Sequence, residues 1–446
     1  MCHYPPPPPN PNPTTTPSAF RNHLPSLTIP RFQTAKSQSP SEYAQHFLST
    51  RTPPWLFALT QVWEELYREP FRGVTTDGVV REGVYGKVST AAAAASQAAQ
   101  NLLAQLSPSE KQTLLFPLTS PSWRAWSNPE PLLHPLGLRL EELPPSPRSA
   151  ILTLMQSSLS AAGFAKARNA MRINAFLGEL VGLERIMNEW SYNFLVFGTP
   201  PRLWEGGEGE GEGGEEEGKA WGWSLFGHHL CLSVFFKGGE IVISPTFTGA
   251  EPNLIDAGPF AGTEILRTEA EIAVKIMRSL TPEQRRNATV FKQMNDEAMM
   301  MSLTGDLRTD RWNRDDQRLL CGAFRDNRIV PYEGIPVGPN FNDAQKAMLL
   351  DLADEMLIYL PDQARKKRLR EIERWFHETY WCWIGGWGDD DAFYFRVQSP
   401  VVVLEFDHHH GVFLTNEAPG RFHTHTVVRM PNGGDYGGVL RGGEKL

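Results

Sequence analysis

The sequence predicts an α+β protein in which a largely helical N-terminal half packs with antiparallel β-hairpins, or a meander, from the middle and C-terminal parts. Three observations carry this prediction. Apolar residues recur at three- and four-residue spacing through much of residues 41–190, the period of helices with one buried face. Beyond residue 220, runs rich in β-branched and aromatic residues alternate with glycine-rich turns. Hydrophobic residues make up 41% of the 446-residue chain and aromatics 11%, enough to build a substantial core.

The chain begins with a segment of different character. Residues 1–30 hold ten prolines among Asn, Thr and Ser, a composition that buries little apolar surface. We assign 1–40 as a disordered Pro-rich tail and 41–446 as a single α+β domain. Pro5–Pro9 also forms a polyproline core of the kind that SH3-type domains bind. Within the helical half, Ser89–Leu106 is alanine-rich, and Ser107-Pro108-Ser109-Glu110 has the serine, proline and glutamate of a helix start. Ser146-Pro147 repeats that signal ahead of Ser146–Gly163, and Ala165–Trp190 continues the helical period. Asp77-Gly78 offers the turn of a short hairpin over Val74–Val84.

Glu205–Gly218 carries seven glutamates and no base, so it repels itself and reads as a flexible Gly/Glu insertion. Further helices are expected at Thr263–Leu280, Thr281–Ala288, Asn342–Leu360 and Asp362–Glu378. The last contains Arg365-Lys366-Lys367-Arg368, a solvated face. The formal charge is -8, most of it in the Gly/Glu insertion, and no cluster of basic residues points to nucleic acid. No apolar run reaches the roughly 18–20 residues of a membrane span, and Met1-Cys2-His3-Tyr4 before five prolines is not a secretory signal. The four cysteines (Cys2, Cys231, Cys321, Cys382) lack CxxC spacing and read as thiols of a reducing compartment. A cytoplasmic protein that binds neither membrane nor nucleic acid is expected; the oligomeric state is left open.

The histidines define the place of interest. Trp221–Phe236 and Glu240–Thr248 read as two strands joined by Gly238-Gly239, a type I′ turn that pairs Lys237 with Glu240. That register puts His229, Cys231 and Ser233 opposite Thr248, Thr246 and Ser244, and His228, Leu230, Leu232 and Val234 on the other face. Adjacent residues of a strand point to opposite sides, so one of His228 and His229 would serve a given site. Glu251 follows the second strand and is the first carboxylate to consider as a partner. In the C-terminal part, Ala392–Arg396, Pro400–Asp407 and Arg421–Met430 read as strands. His423 and His425 share a face with their backbones about 7 Å apart, close enough for both rings to reach one metal ion. Glu405 and Asp407 share a face of their own strand, and whether they meet the histidines depends on register. Arg429 lies on the His423/His425 side and could hold an anionic group. His408-His409-His410 falls in the connecting loop.

Trp221-Gly222-Trp223 with Gly227-His228-His229, then Ser244-Pro245-Thr246-Phe247-Thr248-Gly249-Ala250-Glu251-Pro252, resemble an uncharacterised family of bacterial and fungal proteins, domain of unknown function 3500. Phe393-Tyr394-Phe395-Arg396-Val397, Leu404-Glu405-Phe406-Asp407, His423-Thr424-His425, Arg429 and the turn-rich Asn432–Gly437 extend the likeness. It runs from residue 41 to the end, and it is specific in the two hairpin regions. It implies no established reaction.

Two classes of function remain. One is a metal-dependent enzyme, a hydrolase before a non-haem iron or copper oxidoreductase. There His228 or His229, with His423 and His425, would bind zinc, iron or copper, and Glu251 or Glu405 would act as fourth ligand or base. Its substrate would be a small molecule or peptide. The other is a non-catalytic ligand-binding or interaction protein, with Trp221, Trp223, Trp381, Trp383, Trp387 and Tyr394 lining an apolar pocket. If the two histidine segments lay on distant surfaces, the metal reading would fail.

Overall fold

The computed structural model describes residues 19–50, 65, 68–86, 93–201, 219–300, 319–441 and 446. The polyproline core and the Gly/Glu insertion lie outside them. The fold is α+β, as the sequence predicts, and it is organised around one mixed sheet of twelve strands. In chain order these are β1 (Leu115–Phe116), β2 (Leu138–Arg139), β3 (Tyr192–Gly198), β4 (Trp221–Gly227), β5 (Leu230–Lys237) and β6 (Glu240–Ala250). They continue with β7 (Thr289–Phe291), β8 (Ile335–Pro336), β9 (Tyr380–Gly385), β10 (Phe393–Gln398), β11 (Val403–His409) and β12 (Gly420–Arg429). The spatial order is β1-β3-β4-β5-β6-β12-β11-β10-β9-β7, with β2 against β3 and β8 against β9. Short β1 pairs in parallel with β3 and short β7 in parallel with β9, and the long central strands are antiparallel.

Six helices matter for the packing: α1 (Ala93–Gln105), α2 (Pro145–Ser158), α3 (Ala161–Val181), α4 (Arg267–Ser279), α5 (Asp343–Met356) and α6 (Asp362–Arg374). Their starts follow local chemistry. Ser160 Oγ accepts from the Gly163 amide at the head of α3, and Asn342 and Gln345 form a reciprocal capping box on α5. Gly182 ends α3 with a φ of 66°, a left-handed conformation that glycine adopts without a Cβ penalty.

These helices bury their apolar stripes on one face of the sheet, against Phe194, Trp223, Leu225, Leu232, Phe393, Phe395, Leu404 and Phe406. The opposite face carries Leu195, Phe197, Phe226, Phe235, Phe247, Tyr394, Val403 and Val427 and is covered by irregular segments that bring Trp123, Trp126, Leu319, Phe324 and Tyr436. Both faces of the sheet are therefore dry. This explains why the central strands read as dense apolar runs as well as alternating ones. Trp221, Trp223, Trp381, Trp383 and Tyr394 belong to this core, each almost wholly buried. They pack on one another and on phenylalanines, as in the stack of Trp383 on Phe393 at 4.5 Å, so the pocket lining expected of them is interior packing. Trp387 stays partly exposed.

Several sequence expectations change. Residues 19–40 fold: Ala19–His23 is a 3-10 turn and Pro30–Ala35 a short helix, with Phe20 and Phe32 buried. Two apolar anchors outweigh the surrounding prolines, so the tail boundary drawn at residue 40 lies too far along the chain. No strand pair forms over Val74–Val84; Thr75 bridges Ile329 instead. The run Trp221–Phe236 is two strands, because the chain reverses at His228-His229 and Gly227 pairs with Leu230. Gly238 and Gly239 make the expected turn, both with positive φ, and Lys237 pairs with Glu240. The register then shifts by one between Val234↔Ile243 and Leu232↔Thr246. The extra residue falls at Ser244-Pro245, where proline has no amide to give to the ladder. Cys231 consequently faces Phe247, not Thr246.

Phe395 lies between Trp381 at 5.3 Å and Phe406 at 5.2 Å and is fully buried. Phe395→Ala is expected to destabilise the protein by about 3–5 kcal/mol, measured as a shift in the urea unfolding midpoint with an unchanged slope.

Candidate metal centre

The register of three strands builds the site. Asp407 on β11 pairs with His425 on β12, and His425 pairs with Gly249 on β6. Directly paired residues share a face, so Asp407 and His425 project together over Gly249, and His409 and His423 join them by the two-residue period. This is the face away from the helices. His229 arrives from the reversal between β4 and β5 with a φ of 65°. Its amide donates to Asn128 Oδ1 at 3.2 Å and its carbonyl accepts from the Gly249 amide at 2.8 Å. Gly249 has no side chain for a reason of space: a Cβ there would stand 2.7 Å from His229 Cδ2 and 2.8 Å from His425 Cδ2.

The result is a cluster of imidazoles with almost no exposure, from 0% for His423 to 2% for His409 and His425. Three Nε2 atoms converge, with His423 to His425 at 3.1 Å and His425 to His229 at 3.3 Å. Donors bound to a common ion at ~2.0–2.1 Å sit ~2.9–3.4 Å apart for angles between 90° and tetrahedral. The observed spacings fall in that interval. Protonation favours the same reading. His423 Nδ1 lies 2.7 Å from the His410 carbonyl; a carbonyl only accepts, so Nδ1 carries the proton and Nε2 presents a lone pair. His425 Nε2 would have to donate to His423 and also satisfy His229, whereas a cation satisfies all three lone pairs. Burial, and after it the neighbouring histidines, hold His229 well below the usual imidazole range, so it is neutral and able to ligate.

A second group adjoins the first. Asp407, His409 and His425 bring three donor atoms within 4.8 Å of one another, as do His229, His423 and His425. Asp407 is fully buried, and its Oδ2 lies 3.4 Å from His409 Nε2. Both groups could hold a metal ion.

The remaining candidates have other places. His228 stacks on His229 with ring centroids 3.7 Å apart, and its Nδ1 meets Asn174 Oδ1 at 2.9 Å. The strand argument that sent the two rings to opposite faces does not apply, because both are turn residues. Glu251 is buried beside the cluster, with Oε1 3.7 Å from His423 Nδ1. That oxygen also accepts from the amides of Val412, Phe413 and Leu414 at 2.9–3.1 Å. Glu251 therefore fixes the loop that carries the His410 carbonyl and, through it, His423.

Glu405 points to the same side but two residues short of Asp407. Its carboxylate accepts from the Leu320 and Cys321 amides, both at 2.8 Å, and from the Tyr394 hydroxyl at 2.7 Å. Arg429, four residues past His425, binds Asp326 at 2.8 Å and Asp435 at 3.1 Å, and donates to the Cys321 and Gly322 carbonyls. Both residues thus hold down the covering segments, and the geometry does not bring them to the imidazoles.

The sequence names Asp407 with its side left to the register, and it does not single out His409. The run His408-His409-His410 looked like loop, but β11 extends through His409. Its members separate by alternation. His408 turns to the helix side, where its Nδ1 accepts from the Phe393 amide at 3.1 Å. His409 turns into the cluster, and His410 contributes its carbonyl. The alternation Glu405, Asp407, His409 was the available signal. Among the described residues no helix is long and apolar enough to cross a membrane.

Residues 89–438, most of the chain, match a family described as "Protein of unknown function (DUF3500)". No curated protein and no solved structure matches the chain.

Two outcomes test this layout. Gly249→Ala is expected to displace the His229 and His425 rings and weaken metal retention at least about tenfold, with far-ultraviolet circular dichroism unchanged. Arg429→Ala leaves Asp326 and Asp435 buried beside a lost charge. It is expected to cost about 3–5 kcal/mol in denaturant unfolding, while the folded protein takes up added zinc as the unaltered chain does.

Proposed function

This chain belongs to the DUF3500 family of proteins of unknown function, and from that premise we propose that it is a metal-dependent enzyme, a hydrolase, whose ion is held by His229, His423 and His425. One observation carries the reading: three buried Nε2 atoms, from two separate hairpins, face one another at 3.1 and 3.3 Å. Pairs of imidazoles seldom satisfy each other this way, and a divalent ion resolves the arrangement. Three histidines leave an open coordination position, as in catalytic zinc sites. An ion so placed would lower the pKa of a bound water to about 7 and polarise a carbonyl or phosphoryl oxygen.

The chain supplies the rest. The His410 carbonyl fixes the tautomer of His423, and Glu251 is the outer carboxylate that keeps that carbonyl in place. The dry surroundings strengthen the interaction of the ion with a developing negative charge. A small-molecule or peptide substrate would enter where the 411–416 loop covers the cluster.

A second reading, a non-haem iron or copper oxidoreductase, is favoured by the group of Asp407, His409 and His425. Two histidines and one carboxylate with open positions suit iron. The metal itself separates the two. The full chain is expressed in metal-replete medium, purified without chelator and analysed for zinc, iron and copper. About one equivalent of zinc is expected, and His423→Ala and His425→Ala should each lower it at least about tenfold. Iron or copper at that stoichiometry would transfer the case to the oxidoreductase. Metal below about 0.1 equivalent would sink both.

A further inference from the structure

We propose that Asp407 and His409, beside the His229/His423/His425 position, form a second cation position that fills together with an oxyanion, so that the substrate is an oxyanion such as a phosphoryl ester. The inference rests on the metal reading of the same site. Its starting point is that the donors fall into two groups, each within 4.8 Å internally and joined only by His425. Ligands of one ion, at ~2.0–2.2 Å from it, lie no more than ~4.4 Å apart even when they are opposite each other. Two neighbouring positions account for five donors arranged in two sets, with His425, whose Nε2 faces His423 and His229, serving the first. Paired ions ~3.5–4 Å apart are the arrangement that clamps the attacking and leaving oxygens of a displacement at phosphorus.

Charge decides the order of filling. An imidazole that ligates through a lone pair is neutral, as the His410 carbonyl on His423 Nδ1 requires of that ring, so the imidazoles at the first position contribute none. The first ion adds two positive charges to a buried space, where among the described residues Asp407 lies 3.4 Å from His409 and Glu251 3.7 Å from His423, both carboxylates 0% exposed. Together they balance one dication. A second dication then exceeds the fixed negative charge, and uncompensated charge in a dry interior is heavily penalised. The second position is therefore weak alone and becomes strong when an anion bridges the two ions. The substrate brings this anion, so cation and substrate promote each other's binding by the same factor, as linkage requires.

Cobalt(II) is the probe. Metal-free full-length protein is titrated with it, with and without saturating inorganic phosphate, by calorimetry and by the visible spectrum. One equivalent is expected without phosphate and a second with it. His409→Gln should remove the second equivalent while the first stays within about threefold of its original affinity, and Asp407→Asn should remove the second and also weaken the first, because it takes away one of the charges that balance it. Retention of the first equivalent also shows that the variants are folded. A single equivalent under both conditions would overturn the proposal and leave the metal reading standing. The same holds if His409→Gln weakens the first equivalent by tenfold or more, because His409 would then be a ligand of that ion. If no cobalt binds at all, both readings fall.

Discussion

The register between β11, β12 and β6 is the constraint on which the rest of the structure depends. It places Asp407, His425 and Gly249 in one row across the sheet. A slip of one residue in β12 would turn His423 and His425 to the helix-covered face, among phenylalanines and leucines. The register is secured because β12 is interior to the sheet, with partners on both edges. The row also fixes the width of the site. Gly249 occupies the position where any side chain would collide with two imidazoles, and its amide holds the His229 carbonyl, tying the β4–β5 reversal to β6.

The second theme is how a protein buries so many polar groups on one face of a sheet. Many are answered by a specific donor or acceptor. His228 has Asn174, His423 has the His410 carbonyl, Glu251 takes three consecutive loop amides and Glu405 takes two. Arg429 and Arg124 share Asp326, and the Tyr436 hydroxyl donates to the same carboxylate. This face has few helices above it, so its covering segments have no backbone ladder of their own. Buried carboxylates and guanidiniums take the place of that ladder by binding the amides and carbonyls that would otherwise be orphaned. Such groups are costly to bury, and their value here lies in holding irregular chain in one conformation.

The helical half and the sheet half divide the labour. Helices α1–α6 bury their stripes against the sheet and give it a rigid back, and the loop-covered face carries the histidine cluster. The N-terminal segment belongs to this second layer. Arg31 donates to the Val412 carbonyl and lies over Phe413 at 4.7 Å, and the His23 carbonyl accepts from the Thr415 amide at 2.8 Å. The segment that composition alone marks as tail thus fastens the loop beside the cluster.

The sequence alone determined whatever depends on near neighbours along the chain. The helices expected over Ser89–Leu106, Ser146–Gly163, Ala165–Trp190 and Asn342–Leu360 follow from apolar period, and they form at 93–105, 145–158, 161–181 and 343–356, with the break at Ser160 set by the structure. The Gly238-Gly239 turn and its Lys237–Glu240 pair follow from positive φ, and the shared face of His423 and His425 follows from the pleat. Tertiary structure decided what depends on alignment between strands. The bulge at Ser244-Pro245 changed which residues oppose each other, and the reversal at His228-His229, which has no turn-forming residue of its own, brought one of them to His425. The length of β11 enrolled Asp407 and His409, while Glu405 and Arg429, on that same face, were engaged by residues 319–328 and 435. A strand's periodicity states which side chains share a side, but pairing with a distant segment sets where along that side they meet. That information resides in contacts between residues up to two hundred positions apart, such as His229 and His425.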